Sequence, residues 1–246
     1  MTKYNTTQLN TFDDLDKFIQ HRDWYAHLNR FSYVSKIHKI GQNVLDFGCG
    51  DANLLESLYR NKHRCNKYLG LDIRKKIIES NQQQWNIVKW AEFKNEDLVR
   101  GKFDYGNVWD LIISFEVIEH IGKENADLFL QNILKHMNEN TILLLSTPCY
   151  NGKDCAQNHM IDGKVGEFTY SEMKQLLEKY FIIEKNYGTF ASIADYKDCL
   201  NDWQLKYFEA SKEFFDTNML ATIMAPLIPE HSRNCLWVCK RNVRIF

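Results

Sequence analysis

The chain has 246 residues, with 44% hydrophobic and 26% charged; that is enough for one large domain or two small ones around a real core, and it excludes wholesale disorder. Lys and Arg total 31 against 32 Asp and Glu, a net charge of −1, so the overall charge gives no reason to expect a long polyanion as partner. No apolar run approaches the ~18 residues of a membrane span, and the first residues carry no apolar signal-peptide core.

Apolar positions at helical spacing, Leu15, Phe18 and Ile19, then Trp24, Leu28, Phe31 and Val34, predict one or two helices over 13–38. A short strand at 43–47 runs into Gly48-Cys49-Gly50, and a helix follows over 52–59. Further strands are expected at 68–72, 86–93, 109–114, 141–146, 181–188 and 234–240, with helices at 73–83, 126–137 and 171–180, the last capped by Ser171. Strands alternating with helices predict an α/β fold with helices on both faces of the sheet. The runs Leu111–Ile113 and Ile142–Leu145 read as buried parallel strands. The stretch 189–233 is too long for a hairpin, and its 196–215 region has a helical pattern, so it reads as an inserted helical cap. With three prolines, no repeat and no linker, the chain reads as one unit. Its parts are an N-terminal helical lid (1–40), a cofactor-binding core (41–188), the cap (189–233), and a last strand and tail (234–246).

The turn Asp46-Phe47-Gly48-Cys49-Gly50 joins a strand to a helix, where open α/β sheets bind ligands. Its glycines permit a tight turn and close backbone approach. About 20 residues on, the second strand ends in Asp72, placed to accept hydrogen bonds from both ribose hydroxyls of an adenosine-type cofactor. Asp46 stands two residues before the first glycine, and Asn53 replaces the third glycine of a dinucleotide turn. A negative charge there suits a cationic ligand with an ammonium and a sulfonium, which S-adenosylmethionine is. Asp97 followed by Leu98 fits a bond to the adenine amino group and packing on its ring; Glu96 and Asp97 equally fit solvated loop acids.

These segments resemble the class I S-adenosylmethionine-dependent methyltransferases. Val-Leu-Asp-Phe-Gly-Cys-Gly at 44–50 matches the family's first motif, Gly-Leu-Asp at 70–72 its second, and Trp-Asp-Leu-Ile-Ile-Ser-Phe-Glu-Val-Ile-Glu-His at 109–120 the region of the fourth strand. The likeness runs from about 43 to 188, with Ala52 where many members have a third glycine, a change expected to do no harm. It implies a Rossmann-like seven-stranded sheet whose last two strands form an antiparallel pair, with the helical insertion between them over the substrate side. The expected cofactor contacts are Asp46, Gly48, Cys49, Gly50, Asp72, Ile73, Asp97, Leu98 and Phe115.

If the segment after the fourth strand turns helical, Glu116, Glu119 and His120 share one face near the reactive methyl. In one reading Glu116 and His120 are nearest the chemistry, and His120 is a general base. In another, a divalent metal is bound. The pattern resembles the ubiquinone-biosynthesis O-methyltransferases and the small-RNA 3′-terminal 2′-O-methyltransferases, and the latter likeness implies Glu116, Glu119, His120 and His159 as the metal set. Many methyltransferases with small substrates carry Glu-His here without a metal.

Phe168 and Tyr170 either line the pocket or pack their helix, and Trp24, Tyr25, His27 and Arg30 either cover the cofactor or belong to the core. Cys149 after Pro148 reads as an incidental thiol rather than a cytosine-C5 nucleophile. Seven cysteines without a Cys-x-x-Cys pair fit reduced thiols in the cytoplasm. The expected activity is methyl transfer to a hydroxyl, or an amine, of a small molecule. The rivals are a nucleic-acid methyltransferase, a nicotinamide-dependent dehydrogenase and a non-catalytic cofactor-binding subunit. The sequence leaves the acceptor and the oligomeric state open.

Overall fold

The computed structural model describes residues 22–152, 155–190 and 199–243, and side chains from residue 25 onward. Seven strands form one sheet in the order β3-β2-β1-β4-β5-β9-β8. Their ranges are β1 Asn43–Phe47, β2 Lys67–Asp72, β3 Ala91–Asn95, β4 Leu111–Phe115, β5 Ile142–Pro148, β8 Phe181–Phe190 and β9 Asn234–Arg241. Strands β1 to β5 run parallel, and β9 is antiparallel to both β5 and β8. The expected α/β sheet and its antiparallel closing pair are therefore present. A two-stranded hairpin, β6 Met160–Ile161 with β7 Lys164–Val165, sits in the polar loop after β5.

The strand period of two explains why helices cover both faces. Leu45, Phe47, Leu69, Leu71, Ile112, Leu143 and Leu145 point to one face, where Phe129, Leu130 and Ile133 of α4 (Ala126–Lys135) and Met173 and Leu177 of α5 (Tyr170–Glu178) bury against them. Here α1 is Arg22–Ile37, α2 Asn53–Arg60 and α3 Lys75–Gln84. The intervening Val44, Tyr68, Leu111, Ile113 and Leu144 point to the other face, which takes Val34 of α1, Leu54, Leu55 and Leu58 of α2 and Ile78 of α3. Both faces are apolar, so the central strands are continuous hydrophobic runs.

Three local expectations differ. The third strand begins only at Ala91, because residues 86–90 close a turn in which Val88 N–H donates to the Trp85 carbonyl and Ala91 N–H to that of Val88. Helix α5 is capped by Thr169, not Ser171; Thr169 and Glu172 exchange side-chain and backbone bonds as a capping box. Ala52 takes φ 59°, a left-handed conformation that costs an alanine roughly 1 kcal/mol more than a glycine, so losing the third glycine carries a strain.

The region 189–233 contains α6 (Asp202–Ser211) and α7 (Thr217–Met224), which share a small core of Phe208, Leu220, Met224, Ala225 and Ile228. Helix α1 is tied to it: the Asn29 amide donates to the carbonyls of Thr189 (3.2 Å) and Thr222 (3.4 Å), and Ala26 packs on Phe190 and Ala221. Leu15, Phe18 and Ile19 lie outside the described residues. No helix among the described residues is long and apolar enough to cross a membrane.

The β1–α2 turn places Gly48 at φ 96°, and an added Cβ would collide with the Val117 side chain. Gly48→Ala should therefore lower stability by about 1–3 kcal/mol in chemical denaturation. Adding Val117→Ala should recover part of the loss but not all of it, because the left-handed backbone remains. A single variant as stable as the wild type would contradict this packing.

Candidate active site

The chain runs outward from β1 through β2 to β3 and returns to β4 on the other side of β1, so a crevice opens at the carboxyl ends of β1 and β4. At its floor the amides of Gly48 and Cys49 donate to the Leu71 carbonyl (2.8 and 2.9 Å), and the Gly50 amide donates to Asp72 Oδ2 (3.0 Å). All three amides of the turn are thus consumed by the end of β2, leaving none of them for a pyrophosphate. Asp72 is nearly buried. Burial works to raise its pKa, but bonds from the Arg74 side chain, the Arg74 amide and the Gly50 amide outweigh it and hold the carboxyl below its ordinary value.

The other expected cofactor contacts divide. Ile73 is 63% exposed beside Asp72, and the Asn95 amide fixes the carbonyls of both residues (2.9 and 2.8 Å). Asp97 is half-buried, its Oδ1 accepting from the amides of Val99 and Arg100 (2.9 Å each). Leu98 is buried in the core against the α4 face, and Phe115 is half-buried against Phe31. The Cys49 side chain is buried under Gly70, and burial pushes its thiol pKa up. Asp46 lies behind the turn, nearly buried, accepting a 2.5 Å bond from the Tyr68 hydroxyl.

Beyond β4 the two glutamates part. Glu116 sits at φ 58°, which breaks the expected helix, and only residues Ile118–His120 form a short 3-10 turn. Consecutive β5 residues point to opposite faces and each takes one carboxylate. The Ser146 hydroxyl donates to Glu116 Oε1 (2.8 Å), and the Thr147 hydroxyl donates to Glu119 Oε2 (3.1 Å). Glu116 also pairs with Arg30 (3.1 Å) and accepts from the Asn234 amide at both oxygens (3.0 and 2.8 Å). Burial would raise its pKa, but Arg30 and Asn234 lead the groups that lower it. Arg30 itself is 1% exposed, with His27 Nδ1 2.8 Å from Nη2; burial and then Arg30 push His27 down to about 3, so it is neutral.

Glu119, His120 and His159 come together: one carboxylate oxygen and one ring nitrogen from each histidine lie within 4.8 Å of one another. Glu116 is not among them, a correction to the four-residue set, because Arg30, Asn234 and Ser146 hold its carboxylate on the α1 side of the sheet. Among the described residues, the Oε1 of Glu119 is buried without a hydrogen-bond partner. Burial, then Glu116, raises the Glu119 pKa. His159 Nδ1 lies 2.6 Å from the buried Glu167, and His120 Nδ1 lies 3.2 Å from the Asn158 carbonyl. Both rings therefore have their other nitrogen, Nε2, free for the cluster. His120 is 41% exposed and opens the cluster to solvent. An O/N/N donor set with an orphaned oxygen, and with each histidine steadied from behind, fits a divalent cation.

Residues beyond the expected set complete this region. Ser146, Thr147 and Asn234 carry no motif, and Glu167 follows His159 at a spacing that signals nothing by itself. Phe168 is buried in the core and Tyr170 stacks on Trp237 (5.1 Å), so both pack their helix. Trp24's side chain lies outside the described set.

A family model described as a methyltransferase domain matches residues 16–180. The (S)-tetrahydroprotoberberine N-methyltransferase of Eschscholzia californica is 31% identical over 110 residues, 44% of this chain and 30% of that protein. The ubiquinone biosynthesis O-methyltransferase of Rickettsia akari (strain Hartford) is 27% identical over 123 residues, 50% of this chain and 43% of that protein. The chain thus matches less than half the length of these curated relatives. The O-methyltransferase of a Brevibacillus brevis trans-AT PKS multienzyme, solved with S-adenosyl-L-homocysteine, shares the fold with a TM-score of 0.58 at 20% identity, covering 99% of this chain and 82% of that one.

Burial, opposed by the Tyr68 bond and reinforced by Asp72, pushes the Asp46 carboxyl up to about 7. An unfolded aspartate titrates near ~4. Between these values the folded chain holds a proton that the unfolded chain has lost. The favourable contribution is thus complete below about pH 4 and disappears as pH rises through about 7. Asp46→Asn removes this titration, so its melting temperature should gain on the wild type between about pH 5 and about pH 8. Calorimetric scans showing the same gap at both values would contradict the assignment.

Proposed function

Since the chain belongs to the methyltransferase-domain family, of the class I S-adenosylmethionine-dependent type, we propose that it transfers a methyl group from S-adenosylmethionine to a hydroxyl, or an amine, of a small molecule. The observation that carries this is the closure of the Gly48–Gly50 turn on Asp72 at the point where strand order reverses. Over Gly50 a Cβ would meet only the far end of the Arg74 side chain at 3.3 Å, so the glycine face fits a cofactor once that side chain turns away. S-adenosylmethionine supplies the activated methyl group when bound. In this reading Asp72 receives the ribose hydroxyls, and Ile73, Asp97 and Leu98 are the adenine-side candidates.

Methyl transfer is an in-line displacement, so the chain's main contribution is positioning and exclusion of water. Burial, then the neighbouring His159, lowers the His120 pKa, so its ring is neutral near pH 7. Nε2 is then able to take the proton of an acceptor hydroxyl. Glu116, fixed in its strained conformation by Arg30, shapes the wall beside that point.

A second reading is favoured by the orphaned Glu119 Oε1 facing two steadied histidines. Glu119, His120 and His159 would hold a divalent metal, which lowers the pKa of a bound hydroxyl. The acceptor in either reading is a small molecule; a nucleic-acid acceptor is the lesser alternative, given the near-zero charge. The three consumed turn amides weigh against a nicotinamide dinucleotide. A cytoplasmic location is supported by seven free thiols, five of them buried.

Isothermal titration should detect binding of S-adenosylhomocysteine and none of NAD, and Asp72→Ala should weaken the former by about tenfold or more. Binding of NAD in place of the homocysteine would overturn the proposal. Transfer of labelled methyl to fractionated metabolites, run with and without a chelator, separates the two readings. Activity lost in chelator and restored by a divalent ion assigns the metal; activity retained removes the metal reading.

A further inference from the structure

The Asp72 carboxylate is saturated. Oδ1 accepts from the Arg74 amide (2.9 Å) and Arg74 Nε (3.0 Å), while Oδ2 accepts from the Gly50 amide (3.0 Å) and Arg74 Nη2 (3.0 Å). A carboxylate offers roughly four lone-pair sites. Two are taken by backbone amides that the turn fixes in place. The other two are taken by one guanidinium, in the two-pronged arrangement suited to that group. The same guanidinium lies over Gly50, its Nη2 3.3 Å from where a Cβ would stand. It therefore uses the acceptors a ribose diol needs and also the space above the glycine that a cofactor needs.

We propose that Arg74 is a built-in occupant of the ribose site, its two side-chain donors standing in for the two ribose hydroxyls, so that a cofactor binds only by displacing it. This rests on the cofactor reading above. The displacement is feasible because the Arg74 side chain is 46% exposed and belongs to the residue just before α3, outside the helix. Its guanidinium also feels a second attractive charge, the exposed Asp51, to which it can turn when it leaves Asp72. In the free protein the arrangement keeps a nearly buried carboxylate fully bonded. On binding, two hydroxyls replace two charged donors, so the ligand's net gain is smaller than its own contacts alone would give.

The test is titration of S-adenosylhomocysteine into the wild type, Arg74→Ala and Arg74→Gln, at low and at high ionic strength. Both variants should bind about two- to tenfold more tightly than the wild type at low salt. The gap should narrow at high salt, which screens the ion pair only in the wild type. Equal or weaker binding by both variants, with the wild type still binding, overturns the occupant role and leaves the cofactor reading standing. Failure of all three proteins to bind overturns both. Arg74→Gln keeps the three-carbon stem and a polar end but is shorter and carries no charge, so agreement between the two variants separates loss of the plug from a local folding defect.

Discussion

Three consecutive amides, those of Gly48, Cys49 and Gly50, close on the carboxyl end of β2, and the geometry of the crevice follows from that closure. For three amides in a row to turn toward one neighbouring strand, the chain must pass through left-handed conformations, and it does so at Gly48, Gly50 and Ala52. The packing of Val117 over Gly48 then leaves no room for a side chain on that side. Asp46 is left behind the turn, bonded to Tyr68 and cut off from water. The donors that would make the loop an anion site are used internally, so what the turn offers a ligand is a smooth floor and, beside it, a carboxylate.

The division of labour between Glu116 and Glu119 has an equally simple origin. Neighbouring residues of a strand face opposite sides, so Ser146 and Thr147 carry hydroxyls to opposite faces of the sheet, and each hydroxyl receives one glutamate. On the α1 side the carboxylate meets a cation and an amide and is held charged. On the opposite side the carboxylate meets a hydroxyl and two imidazoles, with one oxygen unbonded. Two groups three residues apart thus have environments that push their protonation in opposite directions.

The fold was legible in the sequence wherever a buried strand ends in a glycine or an acid. Residues 43–47 and the acid at 72 are where the pattern puts them, because a run buried on both faces is apolar throughout and the turn chemistry marks its end. The start of β3 was not legible. Ile87, Val88 and Trp90 look like strand, but Ile87 is 70% exposed and the segment is a turn, a distinction that depends on tertiary packing. The shared face expected of Glu116, Glu119 and His120 failed for a local reason, since a helical pattern says nothing about a residue at φ 58° held there by long-range bonds. His159 was visible as a candidate, whereas Glu167 behind it was not, because the pairing is made by the β6–β7 hairpin and carries no spacing rule.

That long-range character sets a limit on how the acceptor side can be divided. Glu116 is held by Arg30, Ser146 and Asn234, residues from α1, β5 and β9 that are far apart in the chain. Asn234 is in turn bound by Arg30 (3.2 Å) and by the Thr189 hydroxyl (2.6 Å), and α1 is tied to β8 and α7 through Asn29. Removing one partner from a buried charged pair leaves an uncompensated charge, which costs about 3–5 kcal/mol. Loss of α1 would therefore leave Glu116 without its cation, held only by the neutral groups of Ser146 and Asn234. Helix α1 belongs to the wall of the site as fully as the strands do, and Asn29 and Ala26 tie it to α7 and the end of β8.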